Sequence, residues 1–190
     1  MTEVAFRDVP DDEKTDEMCI DAVIAKGRDL KYVPIPMRTF TVCFCAVSEN
    51  GYAWEWAPDS CRTENFWLAV VQKNGTLLGK IPENARTYAV CHAALLAPNG
   101  NAILNVPEEH RDEAMWITAI KKCGEILDHV PEGRVTYRMC YEAVMEHFSH
   151  INRVPKKWRA RVIQEVSQNS GWETMLKDLP EMLEYYNKVV

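Results

Sequence analysis

The chain has 190 residues, 47% of them hydrophobic, and its 28 Asp and Glu outweigh 22 Lys and Arg to give a net charge of -6. An acidic balance argues against a general nucleic-acid binder, and no stretch reaches the length of a membrane span. The opening MTEVAFRDVPDDEK lacks the basic start and apolar run of a signal peptide, so a cytoplasmic protein is expected, with delivery into another cell left open.

From the N-terminus onward, proline recurs at Pro10, Pro34, Pro58, Pro82, Pro107, Pro131, Pro155 and Pro180, at intervals of 24 or 25 residues. Self-similarity at such a period marks a repeat array, read as one domain over 1–190. Residues 1–14 are expected to form an N-terminal cap, 15–159 six repeats, and 160–190 a C-terminal capping repeat. Each repeat opens on Thr15, Thr39, Thr63, Thr87, Asp112 or Thr136, whose oxygen can accept from the free amides of a first helical turn. Acids just after it, such as Asp16, Glu17, Glu64 and Glu113, suit the positive end of the helix dipole. With the opening residue as position one, positions four, five, eight and nine are apolar in nearly every copy, as in Val42, Cys43, Ala46 and Val47. That is the spacing of one helical face.

At position thirteen, Gly27, Gly51, Gly75, Gly100 and Gly124 predict left-handed C-caps. Two apolar columns three residues apart follow, Leu30, Trp54, Leu78, Ile103, Leu127, Ile151 and then Val33, Ala57, Ile81, Val106, Val130, Val154. They predict a short second helix, which the proline stops. In PDSCR and PENAR the proline itself can start one further turn. The sum is an all-α fold, an α-solenoid of about seven 24-residue repeats, each a helix plus a short helix that is stable only when stacked. Position five carries Cys19, Cys43, Cys91 and Cys140 in four copies and Trp67 and Trp116 in the other two. A site that accepts either residue is apolar, so these cysteines read as core thiols in a reducing compartment. Cys45, Cys61 and Cys123 lie off that column.

Positions two and six alternate. Odd repeats carry Asp16/Ile20, Glu64/Leu68 and Glu113/Ile117, even ones Phe40/Phe44, Tyr88/His92 and Tyr137/Tyr141. The alternation suggests a paired module of 48 to 49 residues. The strings CAVSENGYAWEWAPDSCRT and AVVQKNGTLLGKIPENART resemble the helical repeat family called domain of unknown function 4116, over roughly residues 15–159. Departures fall at Phe148 in place of the glycine, Val70 in place of the alanine, and Arg134, one residue early. The resemblance implies a helical array of a kind found in bacterial proteins, including candidate effectors; it implies no reaction and no catalytic residues.

Repeat scaffolds bind through their variable positions. Position eighteen reads Tyr32, Trp56, Lys80, Asn105, His129, Arg153, and position fourteen includes Tyr52. Tyr32, Tyr52 and Trp56 are therefore expected to share one exposed patch for a protein partner, the alternative being that they pack beneath the N-terminal arm. The segment RVPKKWRAR sets Arg153, Lys156, Lys157, Arg159 and Arg161 around Trp158. It is a candidate basic patch for nucleic acid, weighed against a solvated turn. Cys140, His147 and His150 could seed a metal site, but the core place of Cys140 already accounts for it, and no metal or cofactor is expected. The recurring Arg38, Arg62, Arg86, Arg111 and Arg159 read as structural partners of helix-end carbonyls or nearby acids rather than as an anion ladder. Nucleophile elbow, P-loop, dinucleotide fingerprint and HExxH are all absent. Cys61 or Cys123 with His92 or His129 remains the candidate pairing for a cryptic cysteine-dependent enzyme. The favoured reading is a non-enzymatic protein–protein interaction scaffold.

Overall fold

The computed structural model describes residues 5–98 and 102–168, and every regular element in them is helical, with no strand. Gly100, Asn101 and the stretch from 169 onward, with Pro180, lie outside the described residues. No described helix is long and apolar enough to cross a membrane. The chain divides into two compact parts, Met1–His110 and Arg111–Val190. In the first, helices α1 (Asp16–Ala25), α2 (Phe40–Glu49), α3 (Glu64–Lys73) and α4 (Tyr88–Leu96) follow a short 3-10 turn at Phe6–Asp8, and each packs on the next. The second holds α5 (Glu113–Ile120), α6 (Tyr137–Glu146) and α7 (Lys156–Ser167), again packed in succession.

Local chemistry starts these helices where the sequence places them. The side chains of Thr15, Thr39, Thr63, Thr87, Asp112 and Thr136 each accept from the amide three residues on. That bond satisfies one of the donors a helix start leaves open. Behind α1, α2, α3, α5 and α6 the second element is a 3-10 helix, at Gly27–Tyr32, Gly51–Trp56, Gly75–Lys80, Gly124–His129 and Phe148–Arg153. Its turn of about three residues sets the two apolar columns, three apart, on one face. Three-residue 3-10 turns then follow the prolines, at Ile35–Met37, Asp59–Cys61, Glu83–Ala85 and Glu108–His110. Position five is buried in every copy, Cys19, Cys43, Cys91 and Cys140 all at 0% exposure, and so are the columns ending in Ile151 and Val154, apart from the half-buried Trp54.

The glycines act otherwise than expected. Among the described glycines only Gly133 has a positive φ, 90°, and the helices end instead on extended residues such as Lys26 and Asn50, at φ -155° and -139°. What position thirteen needs is room. A methyl group on Gly27 would sit 2.3 Å from the Ala46 carbonyl oxygen, one on Gly51 3.0 Å from that of Val70, and one on Gly124 3.0 Å from that of Ala143. In each case the next helix presses its position-eight carbonyl onto the 3-10 turn. Gly133 serves a different turn, closed by the Arg134 amide on the Pro131 carbonyl at 2.9 Å, with glycine at the site that favours positive φ.

Arg38, Arg86, Arg159 and Lys14 clamp backbone carbonyls. Arg38 donates from Nε to Val33, from Nη2 to Lys31 and from Nη1 to Trp56, eighteen residues on, at 2.9, 3.2 and 2.8 Å. Arg86 repeats the pattern with Ile81, Gly79 and Asn105, and Arg159 holds Val154 and Asn152. Lys14 takes the same role ahead of α1, its ammonium giving 2.7 Å to the Tyr32 carbonyl. Arg62 departs from the others. It pairs with Asp59 at 2.7 Å and lies over the Trp54 ring, and its buried Nε has no hydrogen-bond partner. Arg38→Ala is therefore expected to cost about 2 kcal/mol, from charged hydrogen bonds lost at part-buried carbonyls, and Arg62→Ala less than about 1 kcal/mol. Urea unfolding of the two variants measures the difference.

Candidate protein-binding surface

With positions four, five, eight and nine of α2 to α4, and five and nine of α1, committed to the core, positions two, six and ten form the outward face. On α2 that face holds Phe40 and Phe44, stacked at 5.7 Å with 29° between planes. On α4 it holds Tyr88 and His92, stacked at 6.3 Å and 6°, with His110 edge-on to Tyr88 at 6.0 Å. These rings stand in solvent, Phe40 42%, Phe44 37% and Tyr88 43% exposed, and Ile24 and Leu96 extend the face at 57% and 58%. Between α2 and α4, α3 presents Glu64 and the half-buried Leu68.

In the second part the same position is covered. Tyr137 meets Trp158 of α7 edge-on at 6.4 Å, lies under the Arg161 guanidinium at 4.5 Å, and donates its hydroxyl to Glu165. Burial and the bond to Glu165 push its phenol up to about 12.

Tyr32, Tyr52 and Trp56 all lie on 3-10 helices. Tyr52 is 43% exposed, whereas Tyr32 and Trp56 are half-buried. Four residues along a 3-10 helix turn a side chain about 120° away rather than back onto one face, so Tyr52 and Trp56 diverge. The Trp56 carbonyl is held by Arg38, and Tyr32 takes the Lys31 ammonium over its ring at 4.6 Å while sharing a shallow concavity with Phe6 and Arg28. The three rings are neighbours along the chain but do not stack on one another.

The basic segment runs from the end of the 3-10 helix Phe148–Arg153 into α7 rather than forming a solvated turn. Arg153 is bound by Asp128 and by Glu125, the latter at 3.2 Å, Arg159 by backbone carbonyls, Lys157 lies over Trp158 at 4.3 Å, and Arg161 over Tyr137. Lys156 is exposed at the start of the helix. Of the residues weighed for a metal, Cys140 is fully buried, His147 pairs with Ser149 at 2.7 Å, and His150 Nδ1 lies 3.1 Å from the Ala143 carbonyl and 3.2 Å from Glu146. No group of three side chains able to hold a metal ion occurs among the described residues. Cys61 donates to the Arg38 carbonyl, His92 stacks on Tyr88, Cys123 precedes a 3-10 helix and His129 is exposed within it. Neither Cys61 nor Cys123 is hydrogen-bonded to His92 or His129.

The buried thiols have an energetic signature. Burial raises Cys43 to about 12 and Cys91 and Cys140 to about 11. The fold thus favours the protonated thiol over the unfolded chain's, whose pKa is near 9. The associated stability is complete below about pH 9 and is lost as pH rises through about 11 to 12. Urea midpoints at about pH 8 and about pH 10.5 should show a clear fall, and an unchanged midpoint would contradict this burial.

No family model matches the chain, and neither does any curated protein or solved structure.

Proposed function

We propose that the protein is a non-enzymatic protein–protein interaction module whose binding face is the outward row of α1 to α4. The observation that carries this reading is the pair of stacked aromatic couples, Phe40–Phe44 and Tyr88–His92, with Phe40, Phe44 and Tyr88 exposed, on helices whose positions four, five, eight and nine are buried. Exposed apolar surface of this extent marks interaction sites, and aromatic rings supply large contact area at small entropic cost. Asp16 and Glu64 stand at the matching positions of α1 and α3, so the row suits a partner that offers apolar side chains flanked by basic ones.

The scaffold proposed beneath it is an α-solenoid of 24-residue units working in pairs, the pairing suggested by the alternation at positions two and six and the helical array by the likeness to domain of unknown function 4116. Polar ties from each odd unit to the next even one support the pairing. Glu64 accepts from Thr87 at 2.6 Å and Glu113 from Thr136 at 2.7 Å. The Gly27 and Gly124 amides donate to Glu49 and Glu146 at 2.5 and 3.3 Å, and the full carbonyl clamps of Arg38 and Arg86 fall at the same odd-to-even junctions. In quantitative capture from native lysate, Phe40→Ser with Phe44→Ser should lose the specific partner while the far-ultraviolet helical signal stays intact. Tyr52→Ala with Trp56→Ala tests the 3-10 surface separately. If the first variant keeps full capture, the helical row is not the binding face.

A further inference from the structure

Each clamp arginine leaves its own carbonyl facing the core, and the position-five thiol donates to it: Cys43 to Arg38 at 3.6 Å and Cys91 to Arg86 at 3.4 Å. At Arg38 a second thiol arrives. Cys61, from the turn Asp59–Cys61, donates to the same oxygen at 3.4 Å, so two S–H groups converge on one acceptor. The residue that corresponds to Cys61 is Met37 in the preceding repeat, Ala85 in the following one and His110 in the fourth. A dithiol is therefore assembled at one junction of the first part, from two elements eighteen residues apart.

We propose that Cys43 and Cys61 form a redox-active dithiol that a small-molecule disulfide oxidises to an intramolecular disulfide. The two sulfurs enter unequally. Cys43 lies in the middle of α2 at 0% exposure, whereas Cys61, at 4%, ends a three-residue turn that can open locally at low cost. Cys61 loses its proton to solvent and attacks one sulfur of the reagent, forming a mixed disulfide and releasing one thiolate. That thiolate takes the proton of Cys43, whose sulfur then attacks Cys61 Sγ and expels the second thiolate, which is protonated by water. The sum is protein dithiol plus disulfide giving protein disulfide plus two thiols. The ring so closed contains the 3-10 helix Gly51–Trp56.

The test treats the full chain with excess oxidised glutathione and counts thiols after acid quench and denaturation. Five of the seven thiols are expected to remain, with a mass loss of two hydrogens, the Cys43 and Cys61 peptides joined in a non-reducing map, and all seven restored by dithiothreitol. Cys43→Ala should stop the reaction at a glutathione adduct on Cys61, and Cys61→Ala should take up no glutathione at Cys43. Seven surviving thiols overturn the proposal. So does a wild-type adduct that fails to close, or a bridge mapped to Cys45 or between chains.

Discussion

Gly27→Ala is expected to destabilise the protein by about 3 kcal/mol, at the upper end of overpacking costs. The added methyl would lie 2.3 Å from the Ala46 carbonyl oxygen, 2.8 Å from Glu49 Oε2 and 3.0 Å from the Asn50 side chain. Neither the α2 backbone nor the short 3-10 turn can yield without breaking the contact between them, and the Gly27 amide would lose its bond to Glu49. Gly79→Ala is the control. Its methyl would meet the Asn105 side chain at 2.9 Å, a flexible neighbour, so the loss should stay within about 1 kcal/mol. Equilibrium unfolding in urea reads both. Equal effects would mean that the position-thirteen glycines are not there for the close approach of the following helix.

Trp116→Ala should cost about 4 kcal/mol, the range for emptying a large aromatic from a core. Trp116 is 1% exposed on α5, between the buried Met115 and Ile117. Its indole Nε1 is buried without a hydrogen-bond partner, so the loss comes from packing alone. Trp116→Phe removes that unpartnered donor and keeps most of the ring, and should cost less than half as much. A Phe variant as unstable as the Ala variant would show that the indole makes an essential polar contact.

The helices were legible because their marks are local. A Thr or Asp that caps a helix needs only the amide three residues on, and a column that accepts Cys43 in one copy and Trp67 in another must be apolar. The same columns, three apart, marked a short second helix but not its type, since residues three apart share a face in an α-helix as well as in a 3-10 helix. Tyr52 and Trp56, four apart, were grouped as on an α-helix and so diverge. The role of Gly27 was hidden because the atom that demands it, the Ala46 carbonyl oxygen, is nineteen residues away in sequence and adjacent only after packing. Lys14 escaped the cation column for a similar reason. It is a lysine where the others are arginines, and its partner is a backbone carbonyl, that of Tyr32. For the candidate surface, the alternation at positions two and six sets Phe40, Phe44, Tyr88 and His92 apart but reads as a pairing of units, and the variable positions place the expected surface at Tyr32, Tyr52 and Trp56 instead. Pattern alone could not tell an aromatic couple in solvent from one covered like Tyr137, where α7 makes the difference.

The most direct test of the interaction module is amide hydrogen exchange of the full chain with and without the partner recovered by capture. Protection should rise in peptides spanning Phe40–Glu49 and Tyr88–Leu96 and stay level in those spanning Tyr137–Glu146. Unchanged exchange across α2 and α4 when partner is bound would contradict the assignment of this face.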